Sequence, residues 1–176
     1  ITQRDMELLL TKTGTDMGNL RMEMEKLISY TEGRDVVTAE DIEEICTTQT
    51  TNRIFDMVRA VTEKNQKRAL ELYYDLLTLK EPPMRILFLL AKQYRQLLLA
   101  KQFAAAGLAQ TEIASKLGVP GFVVRNITTC ARAYTISELE QAVKDFVDAE
   151  ESVKTGRLED KLSVELLIIK YSSKVK

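Results

Sequence analysis

Residues 82–107 of this 176-residue chain read PPMRILFLLAKQYRQLLLAKQFAAAG, and this stretch decides the fold class. Pro82 and Pro83 cannot continue a preceding helix, but Pro83 suits the first turn of a new one. Gly107 is the residue type that commonly follows the end of a helix. Apolar side chains between these ends cover nearly the whole circumference, which is typical of a buried helix. The stretch therefore predicts a long helix from Pro83 to about Ala106.

Two interpretations of this helix fit the pattern equally well. It is either the central core helix of one domain, or a core helix whose remaining surface is covered by another subunit. The second interpretation is supported by size, because a domain of about 125 residues has room for only a few fully buried helices. Tyr and Arg are favoured at interfaces. The second interpretation predicts six interface side chains: Arg85, Lys92, Tyr94, Arg95, Leu98 and Phe103.

Helical periodicity also fills the first fifty residues. Met6, Leu9 and Leu10 predict a first helix there. A second helix, starting near Thr15, has an apolar stripe, and Thr38 with Asp41 resembles a capping box that opens a third. The stripe of the second helix consists of Leu20, Met24, Leu27 and Ile28.

Helical periodicity fills the remainder of the chain as well. The pattern predicts two helices before Pro82 and two short ones around 111–117 and 120–133. A capping box of Ser137 and Glu140 then opens a helix that Gly156 ends, and a last helix follows over 158–171. The alternation typical of strands is missing. The predicted fold class is all-α, with a small three-helix module followed by a helical domain of about seven helices.

Charge divides the chain into two parts. Residues 1–50 have 5 basic and 11 acidic side chains, whereas residues 51–176 have 20 basic and 15 acidic ones. The polar run TTQTTN at residues 47–52 lies between them, and its side chains favour hydrogen bonds to local backbone outside helices. The sequence therefore predicts domains at 1–50 and 51–176 joined by this run.

Several function classes are disfavoured by composition. Histidine is absent, which excludes triads and zinc sites that need it. Cys46 and Cys130 stand far apart and indicate a reducing compartment rather than a disulfide framework. Gly14 and Gly18 do not form a phosphate-binding loop. We therefore predict no catalytic residue, no cofactor and no metal site.

Location and completeness follow from other features of the sequence. No apolar run approaches the roughly 18 residues that a membrane span needs, so we expect no membrane partner and a cytoplasmic protein. The chain begins with Ile1 rather than Met. We therefore expect a fragment or a processed chain.

Residues 111–124 imitate a helix-turn-helix, with Gly118 in the turn. A DNA reader would present polar groups early in its second helix, but here Phe122, Val123 and Val124 occupy those positions. Packing is therefore the preferred interpretation, and Val123→Asp should destabilise the domain. A helix-turn-helix DNA-binding regulator is the alternative.

Six stretches, in this order along the chain, together point to a known family. They are 14–27 (GTDMGNLRMEMEKL), 54–61 (IFDMVRAV), 86–98 (ILFLLAKQYRQLL), the helix-turn-helix imitation, 148–154 (DAEESVK) and 166–170 (LLIIK). With these stretches the chain resembles the delta-subunit family of bacterial DNA polymerase III, a family of clamp-loader subunits.

The resemblance implies a domain assignment and a function. Residues 1–50 would be the helical lid of an ATPase-like (AAA+-type) fold, and 51–176 the C-terminal collar through which clamp-loader subunits assemble. The protein would be a non-catalytic subunit of a DNA-directed DNA polymerase holoenzyme that helps to load the sliding clamp during DNA replication. Its partners would be ATPase and delta-prime-type subunits. DNA would be contacted at most indirectly or non-specifically.

The resemblance also carries two finer expectations. The family grips the sliding clamp with an N-terminal domain, which would precede Ile1 and be absent here. Arg21 stands where ATP-hydrolysing relatives place a phosphate-sensing arginine. Because the chain has no phosphate-binding loop, we expect Arg21 to be a vestige with a structural or inter-module salt-bridge role.

Overall fold

The structure is a computed structural model that describes residues 1–14, 16–46 and 50–173, with only the backbone at 50–52. These residues form ten helices and no strand, so the predicted all-α class of three helices followed by seven is confirmed. The helices are α1 (Gln3–Thr13), α2 (Met17–Tyr30), α3 (Ala39–Ile45), α4 (Thr50–Thr62), α5 (Gln66–Thr78), α6 (Pro83–Ala105), α7 (Gln110–Leu117), α8 (Gly121–Ala131), α9 (Ile136–Lys154) and α10 (Asp160–Ser172).

The chain divides into two compact units, residues 1–53 and 54–176. Of the polar run predicted as a linker, residues 47–49 lie outside the described part of the chain. The remainder of that run is helical, because α4 begins at Thr50. The polar composition of 50–52 therefore did not mark a loop. These residues form the first turn of an amphipathic helix, in which Ile54 is the first buried side chain described.

Unit 1 packs α1, α2 and α3 around Leu9, Leu27, Ile42 and Cys46. The predicted capping box is present, since Asp41 N–H donates to Thr38 Oγ1 and Thr38 N–H donates to the Asp41 carboxylate. Asp16 caps α2, close to the predicted start.

The predicted stripe of α2 is wrong at Ile28. That side chain is 63% exposed, whereas the neighbouring Leu27 is buried. Consecutive residues differ by about 100° around a helix, and a three-helix unit covers only one narrow side of α2.

Unit 2 is built around α6, which packs against α7, α8, α9 and α10. The buried side chains of α6 are Ile86, Leu87, Leu90, Gln93, Tyr94, Leu97 and Ala100. Within this chain α6 is not buried on all sides, because Phe88 on the other side is 63% exposed. All its packing helices lie against one side.

The predicted opening of α9 is shifted by two residues. Thr135, rather than Ser137, is the N-cap: its Oγ1 accepts from Glu138 N–H at 3.1 Å, and its own N–H donates to the Glu138 carboxylate at 2.6 Å. A capping residue needs extended backbone, which Thr135 has with a ψ of 165°. Ser137 already lies inside the helix.

The helix-turn-helix imitation corresponds to α7 and α8. Gly118 supplies the left-handed turn with a φ of +64°. Val124 and Ile127 of α8 are fully buried in the core of unit 2, and Val123 is half-buried against it. Val123 and Val124 at the start of α8 therefore serve packing.

Four aromatic rings connect the helices around α6. Tyr94 lies against Tyr134, Phe146 and Tyr171, with ring centroids 5.0 to 5.8 Å apart. The Tyr94 and Tyr134 hydroxyls share a hydrogen bond of 3.1 Å. This cluster joins α6 to α9, to α10 and to the chain that follows α8.

Among the helices described, none is both long and apolar enough to cross a membrane.

Candidate subunit-binding surface

One side of α6 faces away from the core and combines positive and apolar side chains. Arg85, Phe88, Lys92, Arg95 and Leu99 follow one another at i, i+3, i+7, i+10 and i+14, which places them in one stripe of a helix. The first four are exposed, Phe88 to 63%, and Leu99 is half-buried. These five residues are called the α6 face below.

The orientation of the α6 face is set by the opposite side of the same helix. Ile86, Leu90 and Leu97 are at most 2% exposed in the core. Burying such a side chain stabilises the fold by roughly 1.5–3 kcal/mol. Rotating α6 to bury Phe88 would remove several of these side chains from the core, so the α6 face stays outside.

The α6 face is strongly positive. No Asp or Glu occurs anywhere between Pro83 and Ala105. Arg85 forms an ion pair of 3.0 Å with Glu81, which precedes the helix. Lys92 and Arg95 have no ion-pair partner within the part of the chain that the structure describes.

The structure brings together three of the six predicted interface residues, namely Arg85, Lys92 and Arg95. Leu98 and Phe103 are half-buried and pack against the core of unit 2. The Lys116 ammonium lies 5.7 Å from the centre of the Phe103 ring. These two side chains border the core.

Tyr94 belongs to the core and is a correction to the predicted set. Its side chain is 2% exposed within this chain and is surrounded by the aromatic cluster. Burial first, and then its contact with Tyr134, raise the pKa of Tyr94 well above its usual value. Residue type suggested an interface, but position 94 lies on the buried side of α6.

Sequence reasoning missed Phe88 and Leu99 as surface candidates. Both were counted as part of an apolar circumference. Their spacing from Arg85, Lys92 and Arg95 was a usable signal, because all five positions fall within one side of a helical wheel.

Arg21 is also exposed, on α2. Its Nε donates to Glu25 Oε1 at 2.8 Å, so the ion pair lies within one helix. Both side chains are more than half exposed, and such pairs contribute about 0.3–0.5 kcal/mol. The contact seen for Arg21 is therefore local to α2 rather than between modules.

A cleft of about 520 Å³ lies where the end of α6 meets α7 and α8. Ala100, Ala104 and Ala131 line it with small side chains. Its Lys101 ammonium is already occupied, because it donates to the carbonyl oxygens of Ala131 and Tyr134. That lysine stabilises the end of α8.

Titratable groups elsewhere do not form a reactive centre in the described ranges. Burial raises the pKa of both thiols, Cys46 and Cys130, which keeps them protonated. The residues described contain no group of three or more His, Cys, Asp or Glu side chains placed to hold a metal ion.

Comparison with known proteins identifies the family. The model of the family described as "DNA polymerase III delta subunit, C-terminal domain" matches residues 51–171. The chain belongs to this delta-subunit family. The family match therefore covers α6 and its outward face together with every helix packed against it.

Individual relatives agree with the family. The chain is 27% identical over 168 residues to DNA polymerase III subunit delta of Bacillus subtilis. It is 24% identical over 115 residues to the probable DNA polymerase III subunit delta of Aquifex aeolicus. These matches cover 96% and 65% of this chain.

A solved structure has the same fold. The DNA clamp loader delta protein of Bacillus subtilis matches 98% of this chain with a TM-score of 0.87 and 25% identity. The match covers 51% of that protein, and the chain spans 48% and 33% of the two relatives in sequence. The helix-turn-helix regulator has no support in these comparisons.

Proposed function

We propose that this chain is a non-catalytic assembly part of a bacterial DNA polymerase III clamp loader. Family membership over residues 51–171 carries the proposal. The match to the clamp loader delta protein along nearly the whole chain supports it. The protein then works in the cytoplasm as a subunit of a DNA-directed DNA polymerase holoenzyme, during loading of the sliding clamp.

The proposal assigns different tasks to the two units. Residues 51–176 act as the collar that holds the subunit in the loader. Residues 1–50 act as the lid that couples ATP-driven movements of neighbouring subunits to clamp opening. The sliding clamp itself is contacted through the N-terminal domain of the family. This division is supported by the separate core of each unit.

The partners are the ATPase-type and delta-prime-type subunits of the same clamp loader. The α6 face supports this assignment, because an exposed aromatic ring among positive side chains suits a protein interface. DNA contact is indirect or non-specific.

Size-exclusion chromatography of the chain mixed with its own ATPase-type and delta-prime-type subunits tests the proposal. We expect co-elution, and we expect it to persist when residues 1–50 are removed. Circular dichroism of the shortened chain provides the control for folding. If residues 1–50 alone carried all binding, the collar assignment would be wrong.

A further inference from the structure

The charged and aromatic side chains of the α6 face indicate what kind of partner it binds. We propose that the α6 face docks onto an acidic surface of a neighbouring clamp-loader subunit, and that this surface has an apolar pocket for Phe88. This inference rests on the proposed function and adds which surface is used and what it binds.

The size of the α6 face suits a helix or a helix pair as its partner. Arg85 and Leu99 are 14 residues apart. At about 1.5 Å per residue they span roughly 21 Å. A contact of this length permits several charge pairs around one apolar anchor.

The positive side chains require carboxylates in the partner. Lys92 and Arg95 have no ion-pair partner within the ranges described, and α6 itself has no acid to offer them. Covering these charges without a counter-charge would be costly, because a desolvated unpaired charge is strongly unfavourable. A partner that covers the α6 face must therefore supply Asp or Glu opposite them.

Phe88 supplies the apolar part of the contact. Its ring is 63% exposed between Arg85 and Lys92, while the adjacent Leu87 is 1% exposed. Aromatic side chains that enter a pocket contribute strongly to interfaces, especially when ringed by polar groups.

Phe88 also favours protein over duplex DNA as the partner. Contacts to the phosphates of a duplex use Lys, Arg and other polar groups, and they give no role to an exposed phenyl ring.

A second copy of this chain is disfavoured by charge. In a symmetric dimer the same patch of both subunits meets itself. Two α6 faces would then bring Lys92 and Arg95 against their own copies without any acid on either helix. Like charges brought together in this way oppose association. A different subunit with acidic side chains fits better.

The test compares three variants of the chain with wild type for binding to its ATPase-type and delta-prime-type subunits. The charge-reversal variant is Lys92→Glu with Arg95→Glu, and the anchor variant is Phe88→Ala. The control is Lys144→Glu with Lys161→Glu, which makes the same charge change at exposed positions of α9 and α10. Thermal melts of all three variants report folding.

We expect charge reversal to weaken binding by roughly a hundredfold and the anchor variant by roughly tenfold. The control should bind like wild type. Wild-type binding should weaken as salt rises from 0.1 to 1 M, since the Debye length falls from about 10 to 3 Å.

The remaining outcomes overturn one proposal or the other. Binding by wild type that neither variant changes would overturn the α6 inference and leave the proposed function standing. A wild-type chain that binds neither subunit would overturn the proposed function itself. Two further results would show that the α6 face has a different partner, and either would make the inference wrong. In the first, wild type binds a duplex oligonucleotide and charge reversal abolishes that binding. In the second, wild type forms a dimer in sedimentation experiments and charge reversal abolishes the dimer.

Discussion

Tyr94 and Arg95 are neighbours in the sequence but face opposite environments. Tyr94 is 2% exposed in the aromatic cluster, whereas Arg95 is exposed on the α6 face. One step along a helix rotates a side chain by about 100°, which is enough to move it from core to solvent. Residue type alone grouped the two as interface candidates.

Tyr94→Phe should lower the free energy of unfolding by about 1–2 kcal/mol. The change leaves the buried Tyr134 hydroxyl without the partner it has at 3.1 Å. Equilibrium denaturation in urea measures the loss. Arg95→Ala is the matched control and should leave stability nearly unchanged, because surface substitutions usually have small effects. Equal losses for both variants would contradict this placement of the two side chains.

At the scale of elements, the start of α9 depends on one cap among two that the sequence permits. Thr135 with Glu138 and Ser137 with Glu140 have the same spacing. Only Thr135 has the extended backbone and the reciprocal hydrogen bonds. Those bonds also hold the pKa of Glu138 below its usual value, led by the one from the Thr135 backbone.

Thr135→Ala should destabilise the protein by about 1 kcal/mol, because the Glu138 amide in the first turn of α9 loses its acceptor. Ser137→Ala should change stability by only a few tenths of a kcal/mol, since alanine suits a helix interior. Thermal melts of both variants measure the difference. A larger loss at Ser137 would show that the sequence-based cap was right.

Asp145 connects α9 to α10. Its carboxylate accepts hydrogen bonds from the Lys170 ammonium, the Tyr171 hydroxyl and the Gln141 amide. Burial opposes the charged form, but the contacts with Lys170 and Tyr171 outweigh it and hold the pKa of Asp145 below its usual value.

A depressed pKa in the folded state means that Asp145 stabilises the protein above its unfolded pKa of about 3.9. This stabilisation is lost as pH falls through the lower folded pKa. Asp145→Asn should therefore cost about 1–2 kcal/mol at pH 7, and the difference from wild type should shrink below about pH 4. Urea denaturation across pH 7 to 2 measures it. Asp148→Asn, at an exposed position on the same helix, is the matched control and should leave stability nearly unchanged at pH 7.

At the scale of the whole molecule, the two units have cores of different size. Among the described residues, 4 buried apolar side chains form the core of unit 1 and 27 form that of unit 2. Local opening is easier where fewer apolar contacts must be broken. Unit 1 is therefore the less stable of the two.

Native-state hydrogen exchange should show this difference directly. The amide of Leu27 in α2 should exchange at least roughly tenfold faster than that of Leu97 in α6, after correction for intrinsic rates. Both amides lie in helices and both side chains are buried, so local structure does not explain a difference. Equal protection would mean that the two units unfold together.

Local features of the chain were predictable from the sequence. The all-α class, the proline start and glycine end of α6, and the capping box at Thr38 all depend on residues within a few positions of one another. Helix periodicity, caps and breakers act over that range, so a single sequence contains them. The resemblance that led to the delta-subunit family likewise rests on the order of such stretches.

The tertiary structure was needed to tell core from surface. Ile28 and Phe88 fit apolar patterns but face solvent, and Tyr94 fits an interface by type but lies in the core. Thr135 rather than Ser137 caps α9 because the chain is extended at that point. Each outcome depends on which distant helices pack against α2, α6 or α9. Burial is set by contacts between residues far apart in sequence, and periodicity within one helix indicates them only in part.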